Sequence, residues 1–178
     1  MLKIALIVVA ILAVAVIGVL LMASTKPDTF RVTRATTIKA PPDNIYPLIA
    51  DFHRWTAWSP YENKDPAMKR TYGGTPGAVG QTYAWAGDKN VGEGSMAVTE
   101  VAAPSKVALK LDFISPFEAH NTVVFSLMPQ ADGTMVTWDM QGPTPFMGKI
   151  VHVFMNMDKM VGDDFEIGLA KLKAEAEK

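Results

Sequence analysis

The sequence contains no cysteine, few histidines and almost no net charge. Without cysteine, the 178-residue chain can form no disulfide, no thiolate nucleophile and no cysteine-ligated metal site. Its 17 lysines and arginines are balanced by 18 acidic residues, so it lacks the positive charge on which nucleic-acid binding depends. The three histidines show neither His-x-x-x-His nor His-Glu-x-x-His spacing. We therefore expect no nucleic-acid partner, no metal and no cofactor.

One long hydrophobic run lies near the amino terminus. Ile4–Met22 contains no charged residue, and as a helix it would span about 28 Å, close to the ~30 Å hydrocarbon core of a bilayer. The alternatives are a cleaved secretory signal and a buried core helix. The apolar part of a signal is usually shorter, and a cut after Ala23 would place the large Leu21 where a small residue is preferred. We interpret residues 1–23 as a single-pass transmembrane anchor (or uncleaved signal) and residues 24–28 as a linker.

The orientation of this anchor depends on the charges that flank it. Lys3 lies on the amino-terminal side, and Lys26, Arg31 and Arg34 lie on the other. These counts are too even for the positive-inside rule to decide. Short amino-terminal tails that carry a lysine often stay cytoplasmic, and for this reason we favour an extracytoplasmic location for the rest of the chain.

Residues 29–178 have the pattern of one domain that mixes strands and helices. Without the amino-terminal run, the apolar content of the chain is ordinary for a soluble domain. Alternation from Phe30 to Ile38 predicts a first strand, Asp43 is the expected N-cap of a short helix, and Asp51–Trp58 predicts a second. Turn residues then separate six further strands, predicted at Met68–Tyr72, Gly80–Ala86, Gly92–Val101, Lys106–Phe113, Phe117–Met128 and Thr134–Met140.

The last predicted element is one long helix. Thr144-Pro145 supplies an N-cap and a proline at the first helical position. Apolar residues then recur at intervals of three and four from Ile150 to Leu172, which predicts one stripe packed against a sheet. The order of elements fits an α+β fold in which an antiparallel sheet curls round the carboxy-terminal helix.

Three segments of the chain resemble the polyketide cyclase/dehydrase and lipid-transport family. They are Phe52–Glu62 with Asp65-Pro66, Gly133–Trp138, and Met157–Glu166, in that order. The resemblance covers about residues 29–175 and places the chain among the SRPBCC proteins of the START-like helix-grip superfamily. It implies a curved antiparallel sheet of about six to seven strands wrapped round the carboxy-terminal helix, with an apolar cavity between them. It implies no single activity, because members bind lipids, quinones or sterols, cyclise polyketides, or have no known role.

Strand alternation predicts which side chains would face that cavity. On each strand the residues of one face point inward, and the long helix adds its apolar stripe. The expected ligand contacts are Tyr83, Trp85, Met96, Leu109, Leu111, Phe113, Asn121, Val123, Phe125, Trp138, Met140, Ile150, Phe154 and Met157. A small domain also needs an apolar core, so the same residues can simply be core. Four methionines within Met147–Met160 favour a ligand surface, because methionine adapts to varied apolar partners.

No set of residues in the sequence indicates catalysis. Ser59 lacks the Gly-x-Ser-x-Gly setting of a serine hydrolase, and Glu62 has the simpler interpretation of a structural hydrogen-bond partner. A cyclase needs an acid or base and an oxyanion donor beside its substrate. His152, Tyr83 or Glu93 would favour an enzyme if they converged within hydrogen-bond reach inside the cavity.

The hypothesis that best fits these observations is membrane-tethered binding of a hydrophobic small molecule. The ligand would be a lipid, fatty acid, quinone or polyketide-like compound held by apolar burial. The main alternative is a polyketide cyclase/aromatase-type enzyme on the same fold. A third possibility is an interaction module with a filled interior and an exposed apolar patch.

Overall fold

A 23-residue helix, α1 (Leu2–Ser24), precedes the rest of the molecule. The computed structural model describes residues 1–178, apart from the side chain of Leu2. By length and composition, the segment Lys3–Ser24 is long and apolar enough to cross a membrane. An 18-residue stretch of it has a mean hydropathy of 3.4, and no part of that stretch is buried. Helix α1 packs against a later helix, α3 (Phe146–Phe154), and Ala23 near the end of α1 is fully buried.

Seven antiparallel strands form one sheet, which confirms the predicted fold class. The strand order is β1-β7-β6-β5-β4-β3-β2. The strands are β1 (Thr29–Ile38), β2 (Lys69–Gly73), β3 (Thr82–Ala86), β4 (Glu93–Ala102), β5 (Lys106–Ser115), β6 (Ala119–Gln130) and β7 (Gly133–Pro143). Their inward faces follow the predicted alternation: on β6, Val123, Phe125 and Leu127 are buried, whereas Thr122 and Ser126 are exposed.

The antiparallel register defines two ends of this sheet. Thr29 at the start of β1 pairs with Pro143 at the end of β7, and the turn between β5 and β6 lies at the same end of the strands. We call this end of the sheet the anchor end, because the linker from α1 enters the sheet there. The opposite end, which we call the distal end, carries the turn between β6 and β7 and the loop between β2 and β3.

Three short helical segments follow β1. They are the helix α2 (Pro42–Ala50) and two short 3-10 helices at Phe52–Ala57 and Pro60–Asn63. The expected N-cap Asp43 is wrong, since α2 begins at Pro42 and Asp43 lies in its first turn. Proline is favoured at this position because its fixed φ suits a helix and its missing N–H would be unpaired anyway.

The predicted single carboxy-terminal helix is wrong in one respect, because the chain forms two helices. They are α3 (Phe146–Phe154) and α4 (Met157–Ala176). Met155 is the C-cap of the first helix and Asn156 is the N-cap of the second. The side-chain oxygen of Asn156 accepts a 3.0 Å hydrogen bond from the backbone N–H of Lys159. Thr144 is buried one residue before the N-cap position of α3. A stripe with helical spacing continues across such a break, so periodicity alone does not locate it.

A cluster of aromatic side chains fills the space between the sheet and α4. Trp138 on β7 stacks on Phe165 of α4, with 4.0 Å between ring centroids and 9° between planes. Trp58 meets Trp138 and Phe125 edge-on, at 5.5 Å and 6.0 Å. Gly168 allows α4 to approach this closely, because a Cβ there would lie 2.8 Å from the Trp138 ring. These side chains are the centre of the hydrophobic core.

Candidate functional site

Most of the residues predicted to contact a ligand belong to the packed core. Nine are buried, namely Tyr83, Met96, Leu109, Leu111, Asn121, Val123, Phe125, Trp138 and Met140. Trp85 and Phe113 are half-buried and pack against them. These residues contact one another and the aromatic cluster. Their role as ligand contacts stays a prediction.

The other three predicted residues lie on the two carboxy-terminal helices, beside an open groove at the anchor end. This groove has a volume of about 610 Å³. It is lined by the linker residues Lys26-Pro27, by Thr29–Val32 of β1 and by His152–Asp158 of the junction between α3 and α4. It therefore includes Phe154 and Met157, and Ile150 lies half-buried one turn earlier on α3. A smaller pocket of about 210 Å³ lies between α2 and the loop that joins β2 to β3.

Seven of the thirteen residues that line the groove are apolar. Phe30 and Val32 come from the inward face of β1, while Phe154 is 71% exposed and faces open space. The half-buried ring of His152 meets Phe30 edge-on at 6.3 Å. Burial lowers the pKa of His152, and the positive charge of Lys26 lowers it further. The imidazole is therefore neutral at pH 7, which suits an apolar surface.

Apart from Lys26, the charged residues that line the groove, and Asp28 beside them, form ion pairs. Asp158 accepts hydrogen bonds from Arg34, with 3.0 Å between Oδ1 and Nη1. Arg31 donates to Asp139 at 2.6 Å on the outer face of the sheet. Asp28 accepts from Lys149 at 2.6 Å, which joins the linker to α3. These pairs leave Lys26 and the apolar side chains as the free contacts of the groove.

A polar network is buried at the other side of the molecule. Both oxygens of Glu62 are occupied, since Tyr83 donates its hydroxyl proton to Oε1 at 2.8 Å and Arg70 donates from Nε to Oε2 at 2.7 Å. Burial raises the pKa of the Tyr83 hydroxyl, and the hydrogen bond to Glu62 raises it further. The network is thus a structural ion pair with a bound phenol, in agreement with the structural interpretation of Glu62.

The structure does not bring together His152, Tyr83 and Glu93, whose convergence would favour the enzyme alternative. Tyr83 lies on the inward face of β3 and is bound to Glu62. Glu93 is exposed at the start of β4, and His152 lies in the groove beside β1, at the opposite edge of the sheet. Among the described side chains, no group of three or more His, Asp or Glu residues is arranged to hold a metal ion.

Three buried polar atoms have no hydrogen-bond partner among the described residues. They are Asn121 Oδ1, Trp138 Nε1 and Thr144 Oγ1. Such atoms are uncommon, because each costs about 1–3 kcal/mol when left unpaired. Asn121 and Thr144 both lie toward the anchor end, and Asn121 Oδ1 packs so closely on Gly142 that a Cβ there would lie 2.0 Å away. Alternation predicts that Asn121 and Trp138 face inward, whereas the buried position of Thr144 was missed.

These features define the class of protein: a helix-grip domain with a filled core and an apolar groove beside its amino-terminal helix. The chain belongs to the polyketide cyclase/dehydrase and lipid transport family, whose family model matches residues 29–177. No curated protein matches the chain.

Solved structures with the same fold are distant in sequence. Protein CV1439 from Chromobacterium violaceum is 15% identical, with 86% of this chain and 99% of that chain covered and a TM-score of 0.59. Protein Mll3558 from Rhizobium loti is 15% identical, with 83% and 96% covered and a TM-score of 0.62. The di-domain ARO/CYC StfQ from the steffimycin biosynthetic pathway is 10% identical, with 84% and 51% covered and a TM-score of 0.60. At these identities the likeness is one of fold.

Proposed function

We propose that this protein is tethered to a membrane by α1 and binds a hydrophobic small molecule in the groove at the anchor end. The observation that carries the proposal is the position of the groove, which is lined by the linker immediately after α1. Its volume of about 610 Å³ lies within the usual range for small-molecule sites. A lipid, fatty acid, quinone or polyketide-like compound would pass from the bilayer to the groove without crossing water.

Apolar burial supplies the affinity in this proposal. A ligand that buries about 200 Å² of apolar surface gains about 5 kcal/mol, before the cost of immobilising it. Phe154 offers the largest exposed apolar surface in the groove, and Met157 beside it is half-buried. The paired charges around the groove give a ligand few polar contacts, so this site favours a mainly hydrocarbon molecule.

Of the predicted contacts on the sheet, Asn121 lies next to the floor of the same proposed site. On the groove floor Phe30 pairs with Gly142, and Val32 pairs with Met140. Gly142 in turn abuts the unpaired oxygen of Asn121. A ligand that displaces Phe30 inward would reach Asn121, whose oxygen could accept a hydrogen bond from a hydroxyl or a protonated carboxyl group.

Native mass spectrometry of the full chain in a mild detergent tests the proposal. We expect a co-purified apolar molecule, and Phe154→Asp should lower its occupancy at least fivefold, because it places a charge in the apolar wall. Val79→Asp is the matched control: Val79 is 59% exposed but lies at the distal end. A clean ligand-free mass in repeated preparations, or equal occupancy in both variants, would contradict binding in the groove.

The separation of His152, Tyr83 and Glu93 supports binding over the cyclase alternative. General acid–base catalysis needs groups within hydrogen-bond reach of one substrate. Tyr83 is already bound to Glu62, and His152 lies at the opposite edge of the sheet.

A further inference from the structure

The anchor end carries exposed large apolar side chains on two separate elements. Ile114, near the end of β5, and Phe117, on the turn that follows it, are 60% and 75% exposed. Phe146 and Met147, at the start of α3, are 48% and 71% exposed. We call these four residues the apolar rim. Single exposed apolar residues are normal on a soluble surface, but a group of large ones marks an interaction site.

The register places both parts of the rim at the anchor end of the sheet. Thr122 on β6 pairs with Gln141 on β7, so the turn that precedes β6 and the helix that follows β7 leave the sheet side by side. The distal end differs, because its exposed apolar residues lie singly on different elements: Val79 on the loop before β3, and Met128 near the end of β6.

The linker holds the anchor end close to α1. Thr25–Asp28 is four residues long and can span at most about 14 Å. Hydrogen bonds fix its end to the segment that leads into α3: the Thr144 N–H donates to the Asp28 carbonyl at 2.7 Å, and Lys149 donates to the Asp28 carboxylate at 2.6 Å. The orientation of the anchor end relative to the end of α1 is therefore restricted.

The composition of α3 points in the same direction. This helix has nine residues, of which only Lys149 and His152 are not apolar or glycine, yet none of the nine is buried in the described structure. A helix this short is marginal in water, and helices of its length are normally stabilised by burying an apolar face. Its contact with α1 leaves Phe146, Met147 and Phe154 exposed.

We propose that the apolar rim docks on the surface of the same bilayer that holds α1. This inference rests on the proposed membrane tether. The chain itself keeps the bilayer within reach of the apolar rim, because the rim and the linker lie at the same end of the sheet. Aromatic and apolar side chains of this kind partition into the interfacial region, where their hydrocarbon surface leaves water. The mouth of the groove then opens at the level of the lipid headgroups.

The absence of cysteine allows a direct test in the full chain. Phe117→Cys and Met147→Cys place a single fluorescent label on the rim, and Val79→Cys and Met128→Cys place it on distal residues of 59% and 60% exposure. Val9→Cys labels α1 itself. The labelled proteins are reconstituted in phosphatidylcholine vesicles that contain lipids with a nitroxide near the headgroup or along the acyl chain.

We expect lipid nitroxides to quench the rim labels at least threefold more strongly than the distal labels, and aqueous iodide to show the reverse order. Equal quenching at rim and distal positions, with the label at position 9 strongly quenched, would overturn docking while the tether stands. If the label at position 9 is also unquenched, the tether and the docking both fail. Circular dichroism of each labelled protein confirms that the fold is retained.

Discussion

Leu109→Ala distinguishes a packed interior from the wall of a cavity. Leu109 lies in the middle of β5, is fully buried, and stands between Val98 on β4 and Val123 on β6. In a packed core, truncation loses the transfer free energy of the side chain and leaves a void, so we expect a cost of about 3 kcal/mol within the usual 2–5 kcal/mol. At the wall of an existing cavity no new void forms, and the cost would be smaller.

Urea unfolding measured by tryptophan fluorescence gives this cost, because all four tryptophans lie in the domain after α1. For a slope of about 2 kcal/mol per M, a loss of about 3 kcal/mol moves the midpoint down by about 1.5 M. Ile114→Ala is the control, and at 60% exposure it should cost less than about 0.5 kcal/mol. A Leu109→Ala midpoint within about 0.3 M of this control would refute the packed interior and place the ligand among the strand residues.

Two further variants probe polar groups. Tyr83→Phe leaves one oxygen of buried Glu62 without its 2.8 Å donor, so urea unfolding should show a loss of about 1–3 kcal/mol; no loss would mean that the oxygen is hydrated. The hydrogen bond to Asp112 raises the pKa of His120, whereas burial lowers the pKa of His152. NMR titration should therefore find the two histidine pKa values on opposite sides of 6.5. The pair with Asp112 stabilises the fold below the unfolded pKa of His120, and this contribution disappears as the pH rises through the higher folded pKa. Asp112→Asn should return the His120 pKa toward 6.5, and an unchanged value would show that this carboxylate is not the cause.

The sheet could be predicted from the sequence because side chains alternate with a period of two. Val123, Phe125 and Leu127 alternate with polar residues, and this pattern alone assigns the inner face of β6. Turn residues then separate the strands, although their ends differ from the prediction by up to three residues. The elements that position the core were therefore accessible without any structure.

The groove could not be predicted in the same way. It exists because the chain leaves helical geometry between α3 and α4, and the apolar stripe passes through that point without a change of spacing. The available signal was Asn156, a favoured N-cap residue in the middle of the stripe. The packing of the interior was also inaccessible, since alternation gives the direction of a side chain but not whether Trp58 and Phe165 fill the space opposite.

In the proposed binding site, we expect charge to contribute little to recognition. Most ionic groups beside the groove already form ion pairs, since Asp158 is bound to Arg34 and Asp28 is bound to Lys149. Exposed pairs of this kind contribute little stability, but breaking one for a ligand gains little affinity either. Lys26, by contrast, has no ion-pair partner among the described side chains. It stands at the linker, where it can meet a polar headgroup while the hydrocarbon part of a ligand lies against Phe154 and Met157. Selection among ligands then depends on the length and shape of the apolar portion.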